Sequence, residues 1–203
     1  IKDTLGGIPE PSGDFNWRVG DQEESEEFIR KKVFYSGEEG EEIPAYLLIP
    51  KGLTGPAPAV ICIHGTTPYG KDVTIGLEGP ASRAYGLELV KRGYVVLAPD
   101  LLTFGERILP GCRYVDTTDF YIRHPDWSML GKIIFDISRA VDFLYTQGDI
   151  VDKDSIGAIG HSLGGHSAFF SAAFDQRIKV AVSSCGTYPF VEPSLGFRWS
   201  RKD

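Results

Sequence analysis

The chain has 203 residues, 42% hydrophobic and 24% charged, which is the balance of one globular domain with a sizeable core rather than of a disordered chain. No apolar run approaches the roughly 20 residues that a membrane-spanning helix needs. The formal net charge is −7, and residues 21–42 hold nine acids against three bases, which argues against a nucleic-acid partner because phosphate binding needs a basic footprint.

The first ten residues, IKDTLGGIPE, lack the basic-then-apolar order of a signal peptide. They also lack a starting Met, so a processed upstream segment stays open. Residues 1–27 read as an N-terminal extension, with the acidic stretch as a solvated face, and 28–203 as the core domain. FIRKKVFYS (28–36) and IPAYLLIP (43–50) are strand-like and joined by the acidic turn GEEGEE, which predicts an antiparallel hairpin at the start of a sheet. APAVICIHG (57–65) is almost continuously apolar and reads as a strand buried on both faces. Residues 79–92 predict a helix with Pro80 in its first turn and Gly93 beyond its end.

YVVLAPD (94–100) is the next buried strand. Residues 101–127 carry Pro110, Gly111, Pro125 and several aromatics without a period, and read as an insertion loop. Residues 128–146 carry the clearest helical repeat, with Leu130, Ile133, Ile134, Ile137, Val141 and Leu144 at three- and four-residue steps. SIGAIG (155–160), HSLGGHSAFFSAAF (161–174) and IKVAVSSCG (178–186) then predict strand, helix, strand. Strands alternating with helices imply an α/β fold, a doubly wound and mostly parallel sheet. Cys62, Cys112 and Cys185 have no metal or disulfide spacing. Cys62 and Cys185 read as small buried hydrophobes, and a reducing, cytoplasmic setting is expected, with secretion left open by the N-terminus.

GHSLG (160–164) places Ser162 between two glycines at a strand-to-helix junction. A turn this tight leaves room only for tiny residues two positions either side of the serine. It lifts the hydroxyl above the carboxyl edge of the sheet, beside the first amides of the new helix, where an oxyanion can be held. Ser162 is therefore the candidate nucleophile, and the backbone amides of Leu163 and of Thr66, in the HGTT loop after strand 57–65, are the candidate oxyanion donors.

In this order and spacing, CIHG, LAPDLLTFGER and GHSLGG resemble the α/β-hydrolase family. The IPAYLLIPKG hairpin and the long 101–127 insertion resemble its dienelactone-hydrolase-like and acetyl-xylan-esterase-like branch, over about residues 28–190. The resemblance implies Ser162 as nucleophile with backbone donors at Leu163 and Thr66, and it places the acid and the histidine later in the chain. Dienelactone hydrolases proper carry Cys at the elbow, so the serine favours an esterase.

No histidine follows the elbow at a useful distance. His64 and His161 read as shaping their turns. His166 lies one helical turn beyond Ser162, too far along the axis for a base. His124 belongs to the insertion or pocket rim. Asp100, at a strand end, reads as a turn or charge-pair residue, while Glu192 and Asp203 are carboxylates without a histidine to serve. The strand 178–186 is apolar on both faces and predicts a neighbour on each side. Two further βα units carrying the acid and the histidine are thus expected to be absent from this chain, and a missing C-terminal segment or another chain would complete the sheet. The chain alone is expected to be inactive or nearly so.

The expected reaction is hydrolysis of a carboxylic ester through an acyl-enzyme, with a small-molecule ester as partner, no membrane, and no metal or organic cofactor implied. Phe104, Tyr114, Phe120, Tyr121 and Trp127 are candidates to wall a pocket for an aryl or sugar-bearing ester. Two alternatives remain: a serine peptidase of the prolyl-oligopeptidase type, which shares the elbow, and a catalytically silent binding module of the same fold.

Overall fold

The computed structural model describes residues 5–6 and 15–187. Seven strands form one sheet: β1 (Trp17–Glu24), β2 (Phe28–Ser36), β3 (Glu42–Pro50), β4 (Ala57–Ile63), β5 (Val95–Pro99), β6 (Val151–His161) and β7 (Ile178–Ser184). Their order is β1-β2-β3-β5-β4-β6-β7. The first three run antiparallel into β5, while β5, β4, β6 and β7 are parallel. The expected doubly wound, mostly parallel sheet with an antiparallel entry is therefore present.

The helices follow from the alternation along the central strands. Ala59, Ile61 and Ile63 of β4 and Val95 and Leu97 of β5 face one core layer, which α3 (Met129–Thr146) and Ala168 of α4 (Leu163–Phe174) cover. The intervening Cys62, Val96 and Ala98 face a second layer with Val90, the last residue of α1 (Tyr85–Val90). A strand covered on both sides needs apolar residues at every position, and β5 is buried along its whole length. Helix α3 begins where the periodicity places it: the Ser128 hydroxyl caps it by accepting from the Gly131 amide at 3.0 Å. No helix among the described residues is long and apolar enough to cross a membrane.

Several elements differ from the sequence expectation. Strand β1 lies within the stretch read as an N-terminal extension and pairs with β2 along its length. Its residues are all exposed, so no alternation of buried and polar positions marks it in the sequence. The helix expected at 79–92 is reduced to a 3-10 turn (Ala81–Arg83) and the six residues of α1. The Gly86 amide donates to the Thr74 carbonyl at 2.8 Å, outside the helix, and so competes with a longer helical ladder. The insertion contains a 3-10 turn (Gly105–Arg107) and a short helix, α2 (Thr118–Arg123).

Cys185 is exposed in a left-handed conformation (φ 56°) just past β7, rather than buried in the strand. The acidic stretch is less solvated than its composition suggests. Glu38 and Glu41, in the β2–β3 turn, reach inward to the buried Lys132, at 2.7 and 2.5 Å, and Glu41 also binds Arg107. Strand β7 pairs with β6 at one edge of the described sheet, with Val180 and Val182 exposed. Glu192, Trp199 and Asp203 lie outside the described residues.

Candidate active site

The parallel strands put four loops on one edge of the sheet. Ile63 pairs with Gly160, and His161 with Ser184, so the residues that follow β4, β6 and β7 are neighbours in space. Ser162 sits between β6 and α4 with φ 55° and ψ −117°, a region that non-glycine residues rarely occupy. Such backbone strain costs on the order of 1–3 kcal/mol and survives only where the surroundings enforce it. The enforcing contacts are visible. A Cβ on Gly160 would overlap the carbonyl of Gly164, and one on Gly164 would overlap the Ile63 carbonyl oxygen of β4. The Ser162 amide donates to the Ser184 carbonyl at 2.8 Å and its carbonyl accepts from the His166 amide at 3.0 Å.

The loop after β4 lies against this bend. A Cβ placed on Gly65 would stand 3.0 Å from the His161 carbonyl oxygen and 3.7 Å from the Ser162 Cβ. Thr66 follows directly and is exposed, while Ser162 and Leu163 are half-buried. Leu163 opens α4, and the first amides of a helix have no partner within it. Ser162, Leu163 and the Gly65–Thr66 segment, singled out separately from the sequence, thus meet at one place.

The insertion residues separate into two groups. Phe104 is buried against His64, edge to face with centroids 5.3 Å apart, and Tyr114 leans on Phe104 at 6.3 Å. These two are therefore packed beside the loop after β4. Phe120 and Trp127 are buried with Leu102 and Phe135 in a small cluster that the insertion shares with α3. Tyr121 packs on the same cluster, and its hydroxyl accepts from the Met129 amide at 3.3 Å. Phe120 and Trp127, at 2% and 5% exposure, present almost no surface to a ligand.

All four histidines are described, and their rings have the following neighbours. The His64 Nδ1 contacts the Gly65 carbonyl at 2.7 Å and its Nε2 accepts from the Leu101 amide at 3.0 Å, while burial pushes the imidazole below its ordinary value. His161 Nδ1 faces the Ser184 hydroxyl at 3.2 Å. His166 Nδ1 faces the Gly186 carbonyl at 3.3 Å, and burial lowers this ring too. His124 pairs with Glu38 at 3.0 Å.

Sequence reasoning missed a set of buried charges under this edge. Asp100 is wholly buried. Its Oδ1 accepts from the Lys71 amide at 2.8 Å, and its Oδ2 from Lys71 Nζ at 2.7 Å and from the Glu106 amide at 3.0 Å. Burial alone would lower the Lys71 ammonium, but Asp100 and Glu106 outweigh it and hold it above its ordinary value. Arg107 donates to the Asp100 carbonyl and to Asp136 at 3.0 and 2.8 Å. The sequence reads Asp100 as a turn or charge-pair residue and names no partner for it. The available signal was glycine: Gly70 and Gly105 both have positive φ, and a Cβ on either would overlap the Asp100 carboxylate.

An α/β sheet with a strained serine at a glycine-walled strand-to-helix bend, facing the loop of a neighbouring parallel strand, defines the α/β-hydrolase class. Within that class the chain belongs to the dienelactone hydrolase family, whose family model matches residues 43–195. It is 35% identical over 167 residues to YtaP of Bacillus subtilis (strain 168), a hydrolase by designation only, covering 80% of this chain and 54% of YtaP. It is 30% identical over 165 residues to esterase EstD of Thermotoga maritima, covering 81% of this chain and 33% of EstD. Among solved structures, it is similar to BF1801 of Bacteroides fragilis NCTC 9343, an acetyl xylan esterase by designation only. The TM-score is 0.69 at 25% identity, over 87% of this chain and 48% of that one. The chain thus spans about half the length of YtaP and a third of EstD. By name, these relatives are hydrolases and esterases.

Proposed function

We propose that this protein is a serine hydrolase that cleaves carboxylic esters through an acyl-enzyme on Ser162. The observation that carries this reading is the φ of 55° at Ser162, imposed by glycines that admit no side chain, with the Gly65–Thr66 loop packed on the same bend. Ser162 Oγ attacks the ester carbonyl carbon and its proton passes to a base. The carbonyl oxygen, now negative, is held by the Leu163 and Thr66 amides. Collapse of the tetrahedral species expels the alcohol, which takes the proton from the base. Water, activated by the same base, then attacks the acyl-serine and releases the acid.

The base and its acid partner are supplied from outside residues 5–187. The support is chemical: both ring nitrogens of His64 are engaged, and His124, His161 and His166 face Glu38, Ser184 and Gly186. The relatives' names suggest a small acyl group on a carbohydrate or other compact alcohol. Tyr114, half-buried and leaning on the buried Phe104 beside the loop after β4, is the wall residue of the insertion best placed to meet it.

The same histidine geometry is what a silent binding module of this fold would have, so labelling decides between the two. A fluorophosphonate is expected to label Ser162 in the protein at its full natural length, and Ser162→Ala is expected to abolish that labelling. The 203-residue chain by itself is expected to label poorly. An unlabelled serine at full length would remove the esterase reading and leave the binding module. Turnover of aminoacyl anilides in place of p-nitrophenyl acetate would point instead to a peptidase.

A further inference from the structure

The peptide that carries the Thr66 amide has its other end tied down. In a trans peptide the C=O and N–H point in opposite directions from one rigid plane, and no cis peptide occurs among the described residues. Whatever holds the Gly65 carbonyl therefore aims the Thr66 N–H. The holder is His64, whose Nδ1 lies 2.7 Å from that carbonyl oxygen. A carbonyl accepts only, so Nδ1 must carry the proton. The choice of tautomer is enforced from the other side, because Nε2 faces the Leu101 amide at 3.0 Å, and an amide only donates.

The two loops that meet through this ring are also joined beneath it. Asp100, one residue before Leu101, holds both the amide and the ammonium of Lys71, in the loop that begins at His64. Phe104 packs against the ring, with centroids 5.3 Å apart.

We infer that His64 is a positioning residue for the reaction proposed above: held in its Nδ1–H tautomer by the Leu101 amide, it turns the Gly65–Thr66 peptide so that the Thr66 amide faces the oxyanion formed at Ser162. The inference rests on Ser162 being the nucleophile. It gives a function to a histidine that neither accepts nor delivers a proton in the reaction. The Asp100–Lys71 pair fixes the separation of the two loops that the ring spans.

The test uses the protein at its full natural length and begins with fluorophosphonate labelling of the unaltered form. An unlabelled serine there would remove the nucleophile reading and this inference with it. With labelling in hand, His64→Ala is expected to lower kcat on p-nitrophenyl acetate by about 100-fold with KM changed by no more than about twofold, the pattern of a lost transition-state donor. His64→Asn carries a side-chain amide that can donate to the same carbonyl, and is expected to recover about tenfold of that loss.

Arg177→Ala controls for stability. Its guanidinium bridges Asp142 and Asp175 at 2.6 Å each, at the start of β7 and thus at the opposite edge of the sheet, so Tm should fall while kcat holds. In 15N NMR of the unaltered protein, the His64 Nδ1 is expected to be protonated and Nε2 bare. Unchanged kcat in the labelled His64→Ala variant, an equal kcat loss in Arg177→Ala at matched Tm, or a protonated Nε2 would each overturn the inference. Should His64→Ala fail to fold, His64→Asn and the NMR signature still decide it.

Discussion

Ser162 holds its conformation because Gly160 and Gly164 have no side chains, and the two glycines are not interchangeable with alanine. A methyl at 164 would overlap the Ile63 carbonyl of β4, a rigid backbone atom with nowhere to move. Gly164→Ala is therefore expected to destabilise the protein by about 3 kcal/mol or more, beyond the usual range of surface changes and visible as a Tm fall of at least about 6 °C. Gly55→Ala, with nothing within 4 Å of the added methyl, should change Tm by no more than about 1 °C. At this scale the serine was legible because steric exclusion leaves a mark in residue type: small residues at fixed offsets. The Asp100–Lys71 pair left no such mark, since 29 positions separate its members and either residue alone is an ordinary surface type.

The element scale is dominated by buried charge between the β2–β3 turn, the insertion and α3. Glu41 accepts from Arg107 and Lys132. Burial alone would raise its carboxyl, but the two cations outweigh burial and lower it from an ordinary 4.5 to about 2. A carboxyl lowered on folding stabilises the protein fully above its ordinary value, and that contribution is lost as pH falls from about 4.5 toward 2. Glu41→Gln is expected to cost on the order of 3 kcal/mol at neutral pH and to flatten the loss of stability across that acid window, as read by urea unfolding at stepped pH. Periodicity made α3 and the central strands legible, because each must present apolar residues to a core on one side or both. It could not show β1, whose residues are all exposed, nor α2, whose six residues are too few to establish a helical repeat. The turn GEEGEE was misjudged for a related reason: composition reports charge, while burial depends on Lys132 and Arg107, far along the chain.

For the whole molecule, the sheet is asymmetric. Its antiparallel end is closed by β1, a strand rich in charges that pair across to neighbours, such as Arg18 with Glu42 at 2.7 Å. Among the described residues its parallel end is β7, where Val180 and Val182 are 63% and 48% exposed. An exposed apolar edge strand templates pairing with another chain, and charged side chains blunt that tendency. Val182→Lys in the 203-residue chain is expected to lower self-association in sedimentation velocity while leaving Tm within about 2 °C, the span of a small surface change.

The bend at Ser162 is shaped by a strand that precedes it by about a hundred residues, since it is the β4 carbonyl at Ile63 that Gly164 must clear. Local sequence can propose the kink, but docked neighbours, β4 beside Gly164 and β7 at the Ser162 amide, maintain it. Chemical reactivity at that hydroxyl should consequently switch on late in refolding, after the long-range pairing of β4 with β6. A covalent probe of the serine would then double as a clock for assembly of the central sheet.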